Sequence, residues 1–162
     1  MKMIVCVSEN YGIGKDGELL FSIPEDMKLF RTETSGKVVV MGRATLESFP
    51  GGKPLKNRVN IVLTNSPDYS CEGAVVVHSF DEAMEKISQY PSENVYIIGG
   101  ESIYKMFENV CNEAIVTKVQ QTVDADKFFF NIDETPGWKL AETSTIMEYE
   151  NFKYTFNKYT KD

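Results

Sequence analysis

Histidine is nearly absent from this chain: His78 is the only one among 162 residues. A multi-histidine metal site is therefore excluded. A Ser-His-Asp triad would have to use His78, and no nucleophile-elbow sequence accompanies it. Cysteine is also scarce. Cys6, Cys71 and Cys111 are odd in number, widely spaced and without a paired motif. That argues against a disulfide framework or a zinc site and for reduced thiols in a cytoplasmic protein. Basic charge is in deficit, with 17 Lys and Arg against 24 Asp and Glu and a net charge of −7. Nucleic acid and anionic membranes both reward a basic surface, so neither is expected as a partner. No run approaches the ~20 apolar residues of a membrane span. The opening Met1-Lys2-Met3-Ile4-Val5-Cys6-Val7 is too short in apolar content for a signal peptide and reads as a first strand.

What is present is enough for one domain, 1–162, with a single sizeable core. There is no low-complexity linker and no repeat. Strand-like runs fall at 3–8, 37–42, 58–64, 73–77, 94–98, 113–120 and 152–159, and helix-like runs at 23–33, 43–48, 79–88 and 101–108. Their alternation predicts an α/β fold with a central, mostly parallel mixed sheet and helices on both faces. At the C-terminus Phe152, Tyr154 and Phe156 alternate with Lys153, Thr155 and Asn157. This fits a half-exposed antiparallel strand near an edge. Residues 9–22, with Gly12, Gly14 and Gly17, make a long Gly-rich connection suited to a mobile lid. Residues 49–57 form a turn region, and 144–151 read as a connecting loop.

Two apolar runs end in glycine and hand over to a helix-like segment. One is Val38-Val39-Val40-Met41-Gly42-Arg43-Ala44-Thr45, the other Val95-Tyr96-Ile97-Ile98-Gly99-Gly100-Glu101-Ser102. Such junctions aim free N–H groups at one spot and favour an anion. Arg43 adds a guanidinium suited to phosphate, and a Gly pair lets a ligand approach the backbone closely. Taken singly, each also reads as an ordinary turn or a solvated charge. Ser22-Ile23-Pro24-Glu25 predicts a capping box with Ser22 as N-cap. Asp26 then shares a helix face with Ile23, Met27 and Phe30. It either complements the helix dipole or faces a pocket and binds a cationic or amidine-like group. Thr117 and Trp138 by themselves read as core, and Arg58 as surface charge. His78 reads as structural or solvated.

In order, the motifs Asn10-Tyr11-Gly12-Ile13-Gly14, Ile23 to Phe30, Val40 to Ser48, Pro54-Leu55-Lys56-Asn57-Arg58 and Ile98 to Tyr104, followed by Thr117 and Phe128-Phe129, resemble dihydrofolate reductases of the bacterial chromosomal type. The resemblance spans essentially the whole chain. It implies that fold and NADPH-dependent reduction of 7,8-dihydrofolate to tetrahydrofolate, by hydride transfer to pterin C6 with protonation at N5. It also implies that antifolates bind. Asp26 would be the acid of the pterin pocket with Thr117 in its network, and Phe21 and Leu19 would complete the catalytic group. Ile4, Val5, Met27, Phe30, Phe49, Lys53, Leu55 and Ile98 would line the substrate site, with Arg58 on the substrate's α-carboxylate. The cofactor would meet Cys6, Ile13, Gly14, Leu19, Gly42, Arg43, Ala44, Thr45, Leu63, Ile98, Gly99, Gly100, Glu101, Ser102, Ile103 and Tyr104. Thr64 and Asn65 would approach the 2′-phosphate, and His78 the adenine end. No metal is implied, and a monomer is expected. The chain departs from the family at Leu20-Phe21, where Pro-Trp is common, and at Glu101-Ser102, where some members place a basic residue. A reductase of flavin synthesis on the same architecture would need the cofactor motifs but not Asp26, Thr117 and Arg58 together. A non-catalytic nucleotide-binding module would have no use for the acid.

Overall fold

A computed structural model describes all 162 residues. In chain order the strands are β1 (Lys2–Val7), β2 (Gly12–Lys15), β3 (Glu18–Leu19), β4 (Val38–Gly42), β5 (Val59–Leu63), β6 (Ala74–Val77), β7 (Val95–Gly99), β8 (Glu113–Val119), β9 (Lys127–Phe128), β10 (Trp138–Thr143), β11 (Met147–Tyr149) and β12 (Phe152–Lys161). The helices are α1 (Pro24–Thr34), α2 (Arg43–Glu47), α3 (Phe80–Ile87) and α4 (Glu101–Phe107). The main sheet runs β10-β12-β8-β1-β7-β4-β5-β6, with β11 beside β12. Every pairing from β8 to β6 is parallel, and the pairings of β12 with β8, β10 and β11 are antiparallel. This is the expected mixed sheet.

Continuous apolar runs suit strands buried on both faces, because alternate residues point to opposite sides. Met3, Val5, Val38, Val40, Ile61, Val95 and Ile97 enter the larger core, under α3 and α4. Ile4, Val39, Met41, Val62, Tyr96 and Ile98 enter a second cluster, which holds Leu46 of α2 and borders Phe30 of α1. The helices therefore cover both faces. Along β12, Tyr154 joins Ile23 and Val119 on one side while Tyr159 enters the larger core on the other. The strand is thus packed on both sides, at Tyr154 on one and at Tyr159 on the other, and β10 lies beyond it at the edge.

The structure departs from four of these expectations. Ser22 is not the helix cap: the N-cap of α1 is Ile23, which has an extended backbone, and no side chain caps it. Pro24 takes the first helical position and forces its predecessor out of the helix, which shifts the frame by one residue. The Ser22 hydroxyl instead reaches the Met27 sulfur at 3.7 Å. Residues 9–22 are not an irregular connection. They hold β2 and β3, which pair antiparallel and with β9 make a small second sheet. Residues 144–151 include β11. The stripe of Ile23, Met27 and Phe30 also divides. Ile23 is buried, Phe30 flanks the second cluster, and Met27 remains 55% exposed.

Candidate active site

Parallel pairing brings the chemistry to the C-terminal ends of the central strands. β1 and β8 run together with Cys6 opposite Thr117. The Thr117 hydroxyl donates to Asp26 Oδ1 of α1 at 2.6 Å, although 91 residues separate them. Thr117 is buried and Asp26 half-buried. Burial pushes the Asp26 carboxyl above the usual carboxylate range, and hydrogen bonds from Thr117 and the Cys6 thiol oppose that rise. Burial first and the Asp26 charge second push the Cys6 thiol well up, so it remains protonated. Cys6, named among cofactor residues, therefore belongs by position to the acid's surroundings.

Beside this acid lies an apolar wall. Ile4 and Ile98 pack in one cluster, flanked by Phe30, Phe49 and Leu55. Val5 points through the sheet into the other core. Arg58 stands at the rim. Its Nε donates to Thr34 Oγ1 and one terminal nitrogen to the Lys56 carbonyl, both at 3.0 Å. The guanidinium lies 6.0 Å from the centre of the Phe30 ring. Burial, then Arg31, lowers its pKa from the ordinary value. No carboxylate of the chain pairs with it, so its remaining donors can take an incoming carboxylate. Lys53 is exposed near the same turn.

The two glycine junctions adjoin because β4 pairs with β7, with Met41 opposite Gly99. A Cβ on Gly99 or Gly100 would stand 3.5 or 3.6 Å from Thr45 Oγ1. Gly99 has φ +127° and is joined to Gly100 by a cis peptide. That φ belongs to glycine. The pair leaves a side-chain-free cradle beside the Thr45 hydroxyl. Arg43 flanks it, 3.4 Å from Glu47 and 4.2 Å from the centre of the Tyr69 ring. Tyr69 was missed by sequence reasoning, since nothing in the 64–73 segment marks it as a partner of Arg43. Because α2 and α4 span only five and seven residues, their dipoles are modest, and the donors come mainly from loop N–H groups and side chains. One strand further out, Leu63 is opposite Val77, so Thr64 and His78 leave the sheet together. His78 Nδ1 lies 2.9 Å from the Thr64 carbonyl. An N–H at Nδ1 then leaves Nε2 facing outward.

Tyr104 fixes α4 to β1 by donating to the Ile4 carbonyl at 2.7 Å, and Ile103 is buried beside Gly42. Ile13 and Gly14 lie on β2 and Leu19 on β3, with Leu19 79% exposed. Phe21 packs edge-on against Phe152, with ring centres 5.2 Å apart, so its ring is committed to the C-terminal strand. The arrangement is a half-buried acid beside an apolar wall, a guanidinium free of carboxylates at the rim and a backbone cradle for phosphate. Together these suit a flat polar ring, a carboxylate tail and a dinucleotide.

Comparison with known proteins agrees. The family model for dihydrofolate reductase matches residues 1–161. The dihydrofolate reductase of Bacillus subtilis is 34% identical, with 99% of this chain and 94% of the relative covered. That of Neisseria gonorrhoeae is 37% identical, with 97% and 95% covered. A solved dihydrofolate reductase from Enterococcus faecalis, complexed with NADP(H) and RAB-propyl, superposes with a TM-score of 0.88 at 34% identity, covering 99% of this chain and 95% of that one. The chain belongs to the dihydrofolate reductase family and is an oxidoreductase that reduces dihydrofolate to tetrahydrofolate.

Proposed function

We propose that Asp26, Thr117 and Arg58 select and orient dihydrofolate in this chain, and that the Gly42–Thr45 and Gly99–Ser102 junctions hold NADPH. The observation that carries the reading is the Thr117–Asp26 hydrogen bond, made one helical turn before Phe30, which flanks the Ile4–Ile98 wall. A carboxyl there presents two oxygens to the amino and amide N–H groups of a pterin edge. Thr117 fixes one of those oxygens, so the acid meets the ring in one orientation. Arg58, already held at Nε, retains donors for the glutamate carboxylate of the substrate.

NADPH is the cofactor, and when bound it supplies a hydride to pterin C6. The chain's part is position, field and the exclusion of water. Gly99 and Gly100 let the pyrophosphate reach the backbone, and Thr45 and Ser102 offer hydroxyls. Arg43, Thr64, Asn65 and His78 suit the 2′-phosphate and adenine end. N5 must gain a proton in an apolar enclosure. Asp26 polarises the ring for that step, and water carries the proton to N5. Closure of residues 9–22, including Leu19, seals the site. Phe21 brings no N–H donor to that seal, because a phenyl ring has none. The chain acts as a cytoplasmic monomer on small molecules. Its net charge of −7 supports the absence of a nucleic-acid partner. Its exposed large apolar side chains are dispersed among β3, α1, β6, α4, the 108–110 turn, β9, β10 and the loop before β11, which supports the monomer.

Thermal melting with a diaminopyrimidine antifolate tests the site. The compound should raise the melting temperature of the wild type and do so far less for Asp26→Asn. An equal rise in both would refute the role of Asp26.

A further inference from the structure

Glu101 opens α4 directly after the Gly99–Gly100 cradle. An acidic residue at this point stands next to the region where the phosphates of a dinucleotide belong, which is unfavourable unless its carboxylate is turned elsewhere. It is engaged: Glu101 Oε1 accepts a hydrogen bond from the backbone N–H of Phe128 at 2.7 Å. Phe128 belongs to β9, the outer strand of the small sheet. There Gly12 is opposite Phe128 and Gly14 opposite Lys127. The same segment is stitched to the lid by Asp126 N to the Gly14 carbonyl and by Phe129 N to the Tyr11 carbonyl, both at 2.9 Å. The Asp126 carboxylate also accepts from Asp16 N at 3.0 Å. Glu101 makes no ion pair with any cation of the chain. Its carboxylate is therefore given to β9, and a continuous set of hydrogen bonds leads from the cofactor cradle through Glu101 and β9 to β2.

We propose that Glu101 is a positioning residue that couples occupancy of the Gly99–Gly100 cradle to the order of the lid, through its hydrogen bond to Phe128. The inference rests on the placement of NADPH at that cradle. A ligand that fixes the start of α4 fixes the Glu101 backbone. The carboxylate then holds β9, and β9 holds β2. An edge N–H of β9 that would otherwise face solvent is satisfied in the same contact. A purely structural cap at this point would stabilise the chain equally with and without cofactor. A coupling residue instead changes what the cofactor does to the lid.

Hydrogen exchange of the full chain tests this, with and without NADPH at concentrations shown by calorimetry to saturate each variant. In the wild type NADPH should slow exchange across residues 12–19 and 126–128. In Glu101→Ala that added protection should fall by about tenfold, the weight of one charge-assisted hydrogen bond. Protection of β8 should stay unchanged. Glu101→Gln keeps an amide oxygen at the same place and should restore most of the loss. Undiminished lid protection in Glu101→Ala would overturn the proposal, as would equal loss in both variants. A wild-type chain that takes up no NADPH would instead overturn the placement of the cofactor on which it rests.

Discussion

Asp26 is held between opposing influences. Burial favours its protonated form, and the donors Thr117 and Cys6 favour its carboxylate. Thr117→Val removes one of those donors while keeping the shape of the side chain. The carboxyl should then move further above its ordinary value. The limb of the kcat/KM profile set by Asp26 should shift to higher pH, which a steady-state pH series would measure. The stability consequence has a definite sign. A folded-state pKa raised above the unfolded value gives stability that is fully present below the unfolded pKa and lost as pH rises through the folded one. The melting temperature of Thr117→Val should therefore fall below wild type most at neutral pH. The gap should narrow on acidification, apart from any constant packing difference. An unmoved limb would mean that the Thr117 hydroxyl does not act on Asp26.

At the scale of elements, the lid is a three-stranded sheet whose root is tightly packed. A Cβ added to Gly12 would lie 2.7 Å from Ala125 Cβ and 2.9 Å from Ser8 Oγ. Both distances are shorter than real Cβ contacts allow, and Ser8 Oγ also accepts a hydrogen bond from Gly12 N. Gly12→Ala should therefore displace β2 from β9. It should lower kcat/KM for dihydrofolate and speed amide exchange at residues 12–15, while the exchange of β8 stays as it was. The four helices and the strands β1, β4, β5, β6, β7, β8 and β12 were legible in the sequence, because each is an apolar run or keeps a clear period. β2, β3 and β9 were not. They are two to four residues long and composed largely of Gly, Lys and Glu, so pairing partners rather than propensity make them strands. β10 was hidden because only Trp138 of its residues is buried. The capping box at Ser22 failed because Pro24 fixes the helix start more strongly than a hydroxyl three residues before Glu25.

For the whole molecule, distant residues are joined by polar knots on the surface of the main sheet. Glu113 of β8 takes Lys2 of β1 at 3.2 Å and Lys158 of β12 at 2.9 Å. Burial pushes the Glu113 carboxyl up, but the two lysines hold it below the ordinary value. Asp133 accepts from Lys118, Tyr11 and Tyr159, fastening the start of the lid to β8 and β12. The candidate site has the same long-range character. Its glycine junctions could be read locally, since they lie within single strand-to-helix turns. The meeting of Asp26 with Thr117, of Arg43 with Tyr69 and of Glu101 with Phe128 could not, because the sheet order brings them together. The whole-chain resemblance carried Asp26 and Thr117 to one site, and the fold supplies the physical reason.

Reduction of dihydrofolate by this chain depends on Asp26 at the centre of the site. NADPH oxidation by the purified chain, followed with and without 7,8-dihydrofolate and beside Asp26→Asn, decides this. The wild type should show dihydrofolate-dependent loss of NADPH absorbance, and kcat/KM should fall by about 10²-fold or more in the variant. Equal turnover by the two proteins, or no turnover by a wild type that binds NADPH, would contradict it.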